Sequence, residues 1–526
     1  MTRLRQLLVG ALSVGLGPIL VSSLAIGAPA GANLVASRPV SGGSITLVGS
    51  PATLDPDTAA TQFSSSPWFN LIYGQLFRVS ENGALSPWLA TSYTVSASGL
   101  TATLTLRHGV SFQDGTPFNA AAVEYNLNRD RLLGAPAGTV TPSAPFLNSI
   151  SSISTHGSYT VVLHLLHRDN LLQDVLAESE ATYIISPSAF QSEGATQFGL
   201  QPVGAGPYRV TAFVPSTTAT FTRFAKYYGA KDTYLTSINL VNITNDGSEL
   251  AGCAAQTVTV CSFSLTSLAT SPQQAASYSD LREVDSPRVY WLRVQFNVNR
   301  PPFNNLLARE AVNYATDAAQ LSSLVAGKPS PTCYMMASSN TFWNGPACPK
   351  GLPTFDLAKA QALVQQLGGL SFSVTSVSNT SMYSATMPVL QKEWQAAGMN
   401  VTLNIVPHST ELAVQGSGAY QMIAPGAGGG FIDPYLGAQP YIGAGGSQNA
   451  WGYKSAALDA LAVRVETAKS PAQEKSLWNQ YMQLDVQNEG NFGLLEGTTQ
   501  NFVNAHLHGV VFAGYNAYYD HAWLSS

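Results

Sequence analysis

Leu100-Thr101-Ala102-Thr103-Leu104-Thr105-Leu106 alternates apolar and polar side chains, the period of a strand buried on one face. Gln113-Asp114-Gly115-Thr116-Pro117 follows with residues that suit a turn, and Asn119 stands where it can cap a helix running to about Arg131. The same switch of period recurs along the chain. Residues 159–165 and 289–298 read as strands, and 356–367, 386–397, 455–467 and 472–487 as amphipathic helices. The β-branched runs 372–377 and 401–406 flank one of those helices, as in a βαβ unit. Strands and helices therefore alternate throughout, which predicts an α/β protein.

A chain of 526 residues is too long for one ordinary core, so two or three lobes are expected. Apolar residues make up 45%, enough for a large interior and too much for disorder. Charged residues make up only 10%, with 25 basic against 30 acidic. A net charge of −5 leaves no basic footprint, so nucleic acid is not an expected partner. So few ion pairs also suit an acidic habitat, where carboxylates lose their charge.

Arg3 and Arg5 precede a largely apolar run over 7–28, with small residues at Ala28-Pro29-Ala30 and Ala30-Gly31-Ala32. This is the pattern of a secretory signal over residues 1–32; the alternative is a retained anchor. Export gives the four cysteines a meaning. Proximity favours Cys253 with Cys261 and Cys333 with Cys348 as disulfides, and a four-thiolate metal site is the alternative.

Catalytic signatures are missing: the sequence holds no GxSxG, HExxH or GxxxxGK[ST]. His164/His167 and His506/His508 are the close histidine pairs and read as structural. Asp55 and Asp57 flank a proline, where turn chemistry is the ordinary reading. Gly428-Gly429-Gly430 follows a strand expected over 420–423, so it is either a flexible loop or the lining of a ligand cavity. No catalytic residue, cofactor or metal is expected.

Several segments, in order, resemble the family-5 extracellular solute-binding proteins of ABC importers, which include oligopeptide-, dipeptide- and nickel-binding receptors. Thr53-Leu54-Asp55-Pro56, Tyr73-Gly74-Gln75-Leu76-Phe77 and Pro87-Trp88-Leu89-Ala90 come first. Residues 104–118, from Leu104-Thr105-Leu106-Arg107-His108-Gly109 to Gly115-Thr116-Pro117-Phe118, are the most specific match. Pro202-Val203-Gly204-Ala205-Gly206-Pro207-Tyr208, Phe296-Asn297, Arg309-Glu310-Ala311-Val312 and Asp433-Pro434 continue it. The resemblance implies a bilobed, type II periplasmic-binding-protein-like fold with an extra subdomain in the N-terminal lobe. It implies a discontinuous N-terminal lobe (33–72, 205–291 and 500–526), the subdomain at 73–204, and a C-terminal lobe at 292–499. It also implies a monomer on the outer side of the cytoplasmic membrane, delivering a peptide-like solute to importer permease subunits.

In peptide receptors of the family an aspartate holds the ligand's amino group, and that position falls on Gly430 here. A tryptophan position falls on Ala427, and Asp433 is the nearest acidic replacement. Phe63, Trp291, His408 and Trp451 are the aromatic and polar pocket candidates that the resemblance suggests. Arg293 stands inside a strand, where it needs either a partner or an anionic ligand. Loss of the amine anchor keeps a sugar, an opine-like compound or a metal chelate open as the ligand. An exported hydrolase and a sensory receptor without an importer are the readings from other classes.

Overall fold

The signature segment sits at a junction of two cores. In the computed structural model, which describes residues 38–57, 66–132, 147–179, 182–333, 354–378, 381–424, 428–429, 455–487, 491–513 and 516–525, the strand Thr101–Leu106 and the helix Ala120–Leu132 form as expected. Asn119 Oδ1 accepts from the Ala122 amide at 3.0 Å, which caps that helix. Ala102, Leu104 and Leu106 point inward into a core shared with the helix residues Val123 and Leu127. This core belongs to a four-stranded sheet, in the order Ala90–Val95, Thr101–Leu106, Thr160–Leu165, Ile150–His156.

Gln113 fastens this unit to its neighbour. Its Nε2 donates to the carbonyls of Ile72 at 3.1 Å and Tyr208 at 2.8 Å, and its amide donates to Gly204 O at 2.9 Å. The Gly204-Ala205-Gly206 turn therefore lies against the backbone of Leu71 and Ile72. A Cβ on Gly206 would approach Leu71 O to 2.6 Å, and one on Gly204 would collide with Ile72 O. These glycines serve close backbone approach, not phosphate binding.

Among the described residues the largest element is a twelve-stranded sheet. Its order runs Met399–Val406, Leu370–Val377, Met422–Ala424, Leu281–Phe296, Asn491–Asn504, Val260–Phe263, Ser44–Val48, Ser237–Val241, Thr218–Arg223, Tyr208–Val214. Two-residue strands at Ser330–Pro331 and Gly428–Gly429 complete it. Leu370–Val377 and Met399–Val406 are parallel, with the helix Ser381–Ala396 between them, so the expected βαβ unit is present. One core gathers Ile45, Tyr73, Phe221, Ile238 and Tyr519, and another gathers Phe296, Phe303, Val374, Trp394 and Leu494. The strands Leu281–Phe296 and Asn491–Asn504 pair antiparallel and run between the two.

Two elements exceed their expected lengths. The helix expected from 386 begins at Ser381 and runs through Pro388. That proline removes one intrahelical bond, but Met382, Met387, Leu390 and Trp394 are all fully buried and hold the helix in place. The strand expected from 289 begins at Leu281, because its polar first half pairs with Thr499–Asn504 across a register shift between Ser286 and Tyr290. Cys253 and Cys261 form a disulfide with Cα atoms 6.3 Å apart. Cys333 is disulfide-bonded too; its expected partner Cys348, like the signal segment, lies outside the described residues.

Replacing Gln113 with alanine removes the side-chain donor that ties the four-stranded unit to the carbonyls of Ile72 and Tyr208 in the neighbouring core. The expected loss is about 1–3 kcal/mol of unfolding free energy, read from urea denaturation.

Candidate functional site

Four strands meet in one row of the sheet. Trp291 lies opposite Gly428 on one side and Glu496 on the other, and Glu496 lies opposite Ser330. Residues in register across a sheet present side chains to the same face, so Trp291, Glu496 and Ser330 share one. Gly428 and Gly429 add backbone without side chains beside Trp291. Among the described residues, the outer edge of that glycine strand has no partner strand. The Trp291 ring packs in a cluster with Leu171, Cys333, Tyr420, Leu458 and Trp478, and its indole Nε1 is buried with no acceptor among the described residues. Such a donor is costly to leave unmet. Ser286, Thr332 and Thr499 are buried polar residues at the same crossing.

Arg293, two residues further along the strand, is 1% exposed. Asp485, on the helix Pro471–Gln487, is buried with it. Burial pushes the Asp485 carboxyl up to about 7, and the Arg293 guanidinium pulls it back. Tyr420 and Glu411 belong to the same buried group, since Arg293 and Glu411 act on the Tyr420 hydroxyl in opposite directions. Asp485 thus gives Arg293 an acidic neighbour close enough to interact with it.

Residues 84–449 match the family described as bacterial extracellular solute-binding proteins, family 5 Middle. The chain belongs to that family. This solute-binding protein is 30% identical over 380 residues to the glutathione-binding protein GsiB of Salmonella choleraesuis, covering 70% of each chain. The GsiB of Escherichia coli O157:H7 is 29% identical over 377 residues, again covering 70% of each. Among solved structures, DppA from Helicobacter pylori in complex with peptide STSA superposes with a TM-score of 0.81 at 18% identity, over 93% of this chain and 99% of that one. NikA from Brucella suis in complex with Fe(III)-EDTA gives 0.79 at 18% identity, over 92% and 100%. The fold is thus the bilobed α/β architecture of ABC-importer receptors.

For this receptor, Trp291 and Arg293 sit on the long strand as the sequence placed them, but with different surroundings. His408 is the first residue of the helix His408–Ser417. Phe63, Ala427, Gly430, Asp433 and Trp451 lie outside the described residues. Sequence reasoning missed Glu496. The available signal was a single charge following the apolar run Phe492-Gly493-Leu494-Leu495, the same logic that picked out Arg293.

Several of the receptor's carboxyls are shifted the same way by burial. Arg129 pairs with Asp55 at 2.9 Å and with Asp57, while Asp130 lies buried beside them. Burial raises Asp57 to about 6 despite Arg129, and raises Asp130 further, with the neighbouring Asp57 adding to it. Burial also lifts Glu249 and Glu393 to about 7, and Asp169 upward. Each of these groups holds its proton more tightly folded than unfolded. Its stabilisation is therefore complete below the ordinary carboxylate range and is lost as pH rises through the folded value.

Two outcomes follow for the receptor. Its thermal midpoint rises as pH falls from about 8 to about 5, measured by calorimetry. Above about pH 7, where the Asp485 carboxyl is ionised, Arg293→Met leaves that buried charge without its counter-ion and costs about 3–5 kcal/mol of stability by urea unfolding, a cost that shrinks in acid.

Proposed function

We propose that this protein captures a peptide-like solute outside the cytoplasmic membrane and hands it to the permease of an ABC importer. The observation that carries the reading is the glycine strand Gly428–Gly429, which lengthens the sheet beside Trp291 and offers an outer edge bare of side chains. A peptide in extended form can join such an edge through its own amides and carbonyls. The indole Nε1 of Trp291 then has a carbonyl or carboxylate to donate to, and Glu496 on the same face offers a counter-charge for an ammonium group. The GsiB relatives are named for binding glutathione, a short peptide-like compound, which agrees with this class.

Capture works by closure. Residues 33–72, 205–291 and 500–526 act as the N-terminal lobe, 73–204 as its subdomain and 292–499 as the C-terminal lobe. The separate cores built around Ile45, Leu104 and Phe296 support that division. The two crossing strands serve as the hinge, and ligand binding favours the closed arrangement. Residues 1–32 direct export, the protein acts as a monomer, and bound solute leaves unaltered. Phe63, His408, Ala427, Gly430, Asp433 and Trp451 complete the pocket, and Cys333 pairs with Cys348.

Titration calorimetry with glutathione and with mixed di- and tripeptides, followed by mass analysis of the recovered compounds, tests this. Binding of one unaltered ligand per chain is expected, and Trp291→Phe weakens it about five- to tenfold through loss of one hydrogen bond. Conversion of a peptide, or binding restricted to sugars or metal chelates, overturns the proposal.

A further inference from the structure

Leu171 and Leu172 are adjacent in sequence but buried in different cores. Leu172 packs with Leu104, Val123 and Leu176 of the small four-stranded subdomain. Leu171 packs in the cluster of Trp291, Leu458, Val465, Ala468 and Trp478, on the other side. Asn170 is bonded across the same line. Its amide donates to Glu466 O at 3.0 Å, and its side-chain amide donates to Ala468 O. Glu466 is the last residue of the helix Ala456–Glu466, whose final carbonyls have no partner within the helix. Asp169 fixes the segment from behind: its carboxylate accepts from Ser149 Oγ at 2.6 Å and from the Leu171 amide at 2.9 Å.

We propose that Asp169-Asn170-Leu171 is a closure strap, a segment of the subdomain that clips onto the end of the helix Ala456–Glu466 and sets how long the receptor stays shut. The inference rests on the two-lobed closing mechanism proposed above. The strap lies off the crossing strands, so rotation about them separates Asn170 from Glu466. Its bonds suit that role. Once the strap lifts away, water reaches the carbonyls of Glu466 and Ala468 in its place, so opening exchanges hydrogen bonds for others. Leu171 beside Trp291 supplies the apolar contact that must be given up. Ligand retention therefore depends on residues that need not touch the ligand.

Small-angle X-ray scattering of the ligand-free full chain tests the strap without any ligand. Asn170→Ala removes one donor and shifts the closed population toward open about fivefold, seen as a larger radius of gyration with an unchanged thermal midpoint. Asn170→Asp, nearly the same shape but with no amide to donate, does the same or more. Leu171→Ala opens the chain further. Unchanged scattering for all three, or a loss of thermal stability for Leu171→Ala without opening, makes the contact permanent packing and overturns the strap. Failure of every peptide to bind while the variants still open the chain would sink the solute reading and leave the strap standing.

Discussion

The antiparallel pairing of Leu281–Phe296 with Asn491–Asn504 is the constraint on which the molecule depends. It makes one sheet out of strands that serve two separate cores. Every other strand of that sheet is added outward from this pair, on one side toward Met399–Val406 and on the other toward Tyr208–Val214. The pairing shifts register twice, between Leu292 and Arg293 and, more widely, between Ser286 and Tyr290, where Pro287 has no amide to give to a ladder. Buried polar residues collect near that wider shift, and the glycine strand joins just beyond it.

Much of the fold could be read from residues 100–131, because a half-buried strand, a turn and a capped helix each leave a local signature. The βαβ unit around Ser381–Ala396 was legible for the same reason. The first half of the long strand was not. Leu281-Arg282-Glu283-Val284-Asp285-Ser286 carries too many charges to suggest a strand, and it becomes one only because a partner 200 residues away supplies the ladder. The role of Gln113 was equally hidden. Its segment is recognisable as a family signature, yet the reason for it is three carbonyls, of Ile72, Gly204 and Tyr208, contributed by distant segments. At the site, Trp291 could be picked by type and strand phase, whereas Glu496 acquires meaning only from the register that sets it beside Trp291.

Low charge density and buried carboxyls are two sides of one design. With 10% charged residues the surface relies on neutral polar groups, and several of the acids that remain are placed inside. Asp57, Asp130, Glu249 and Asp485 are held there largely as neutral, hydrogen-bonding groups in mildly acidic surroundings. Arg129 and Arg293 are each buried among acids and complete those groups. Such an interior is balanced for the protonated state of these groups.

The core around Ile45 and Tyr73 also contains Val503, Leu507, Phe512, Tyr519 and Ala522. The half of the molecule that the ribosome makes first therefore stays unfinished until a stretch about 430 residues later has emerged. Such a chain stays open through synthesis and locks only when its tail arrives. Its late completion leaves a long interval in which the early strands must be kept from pairing wrongly.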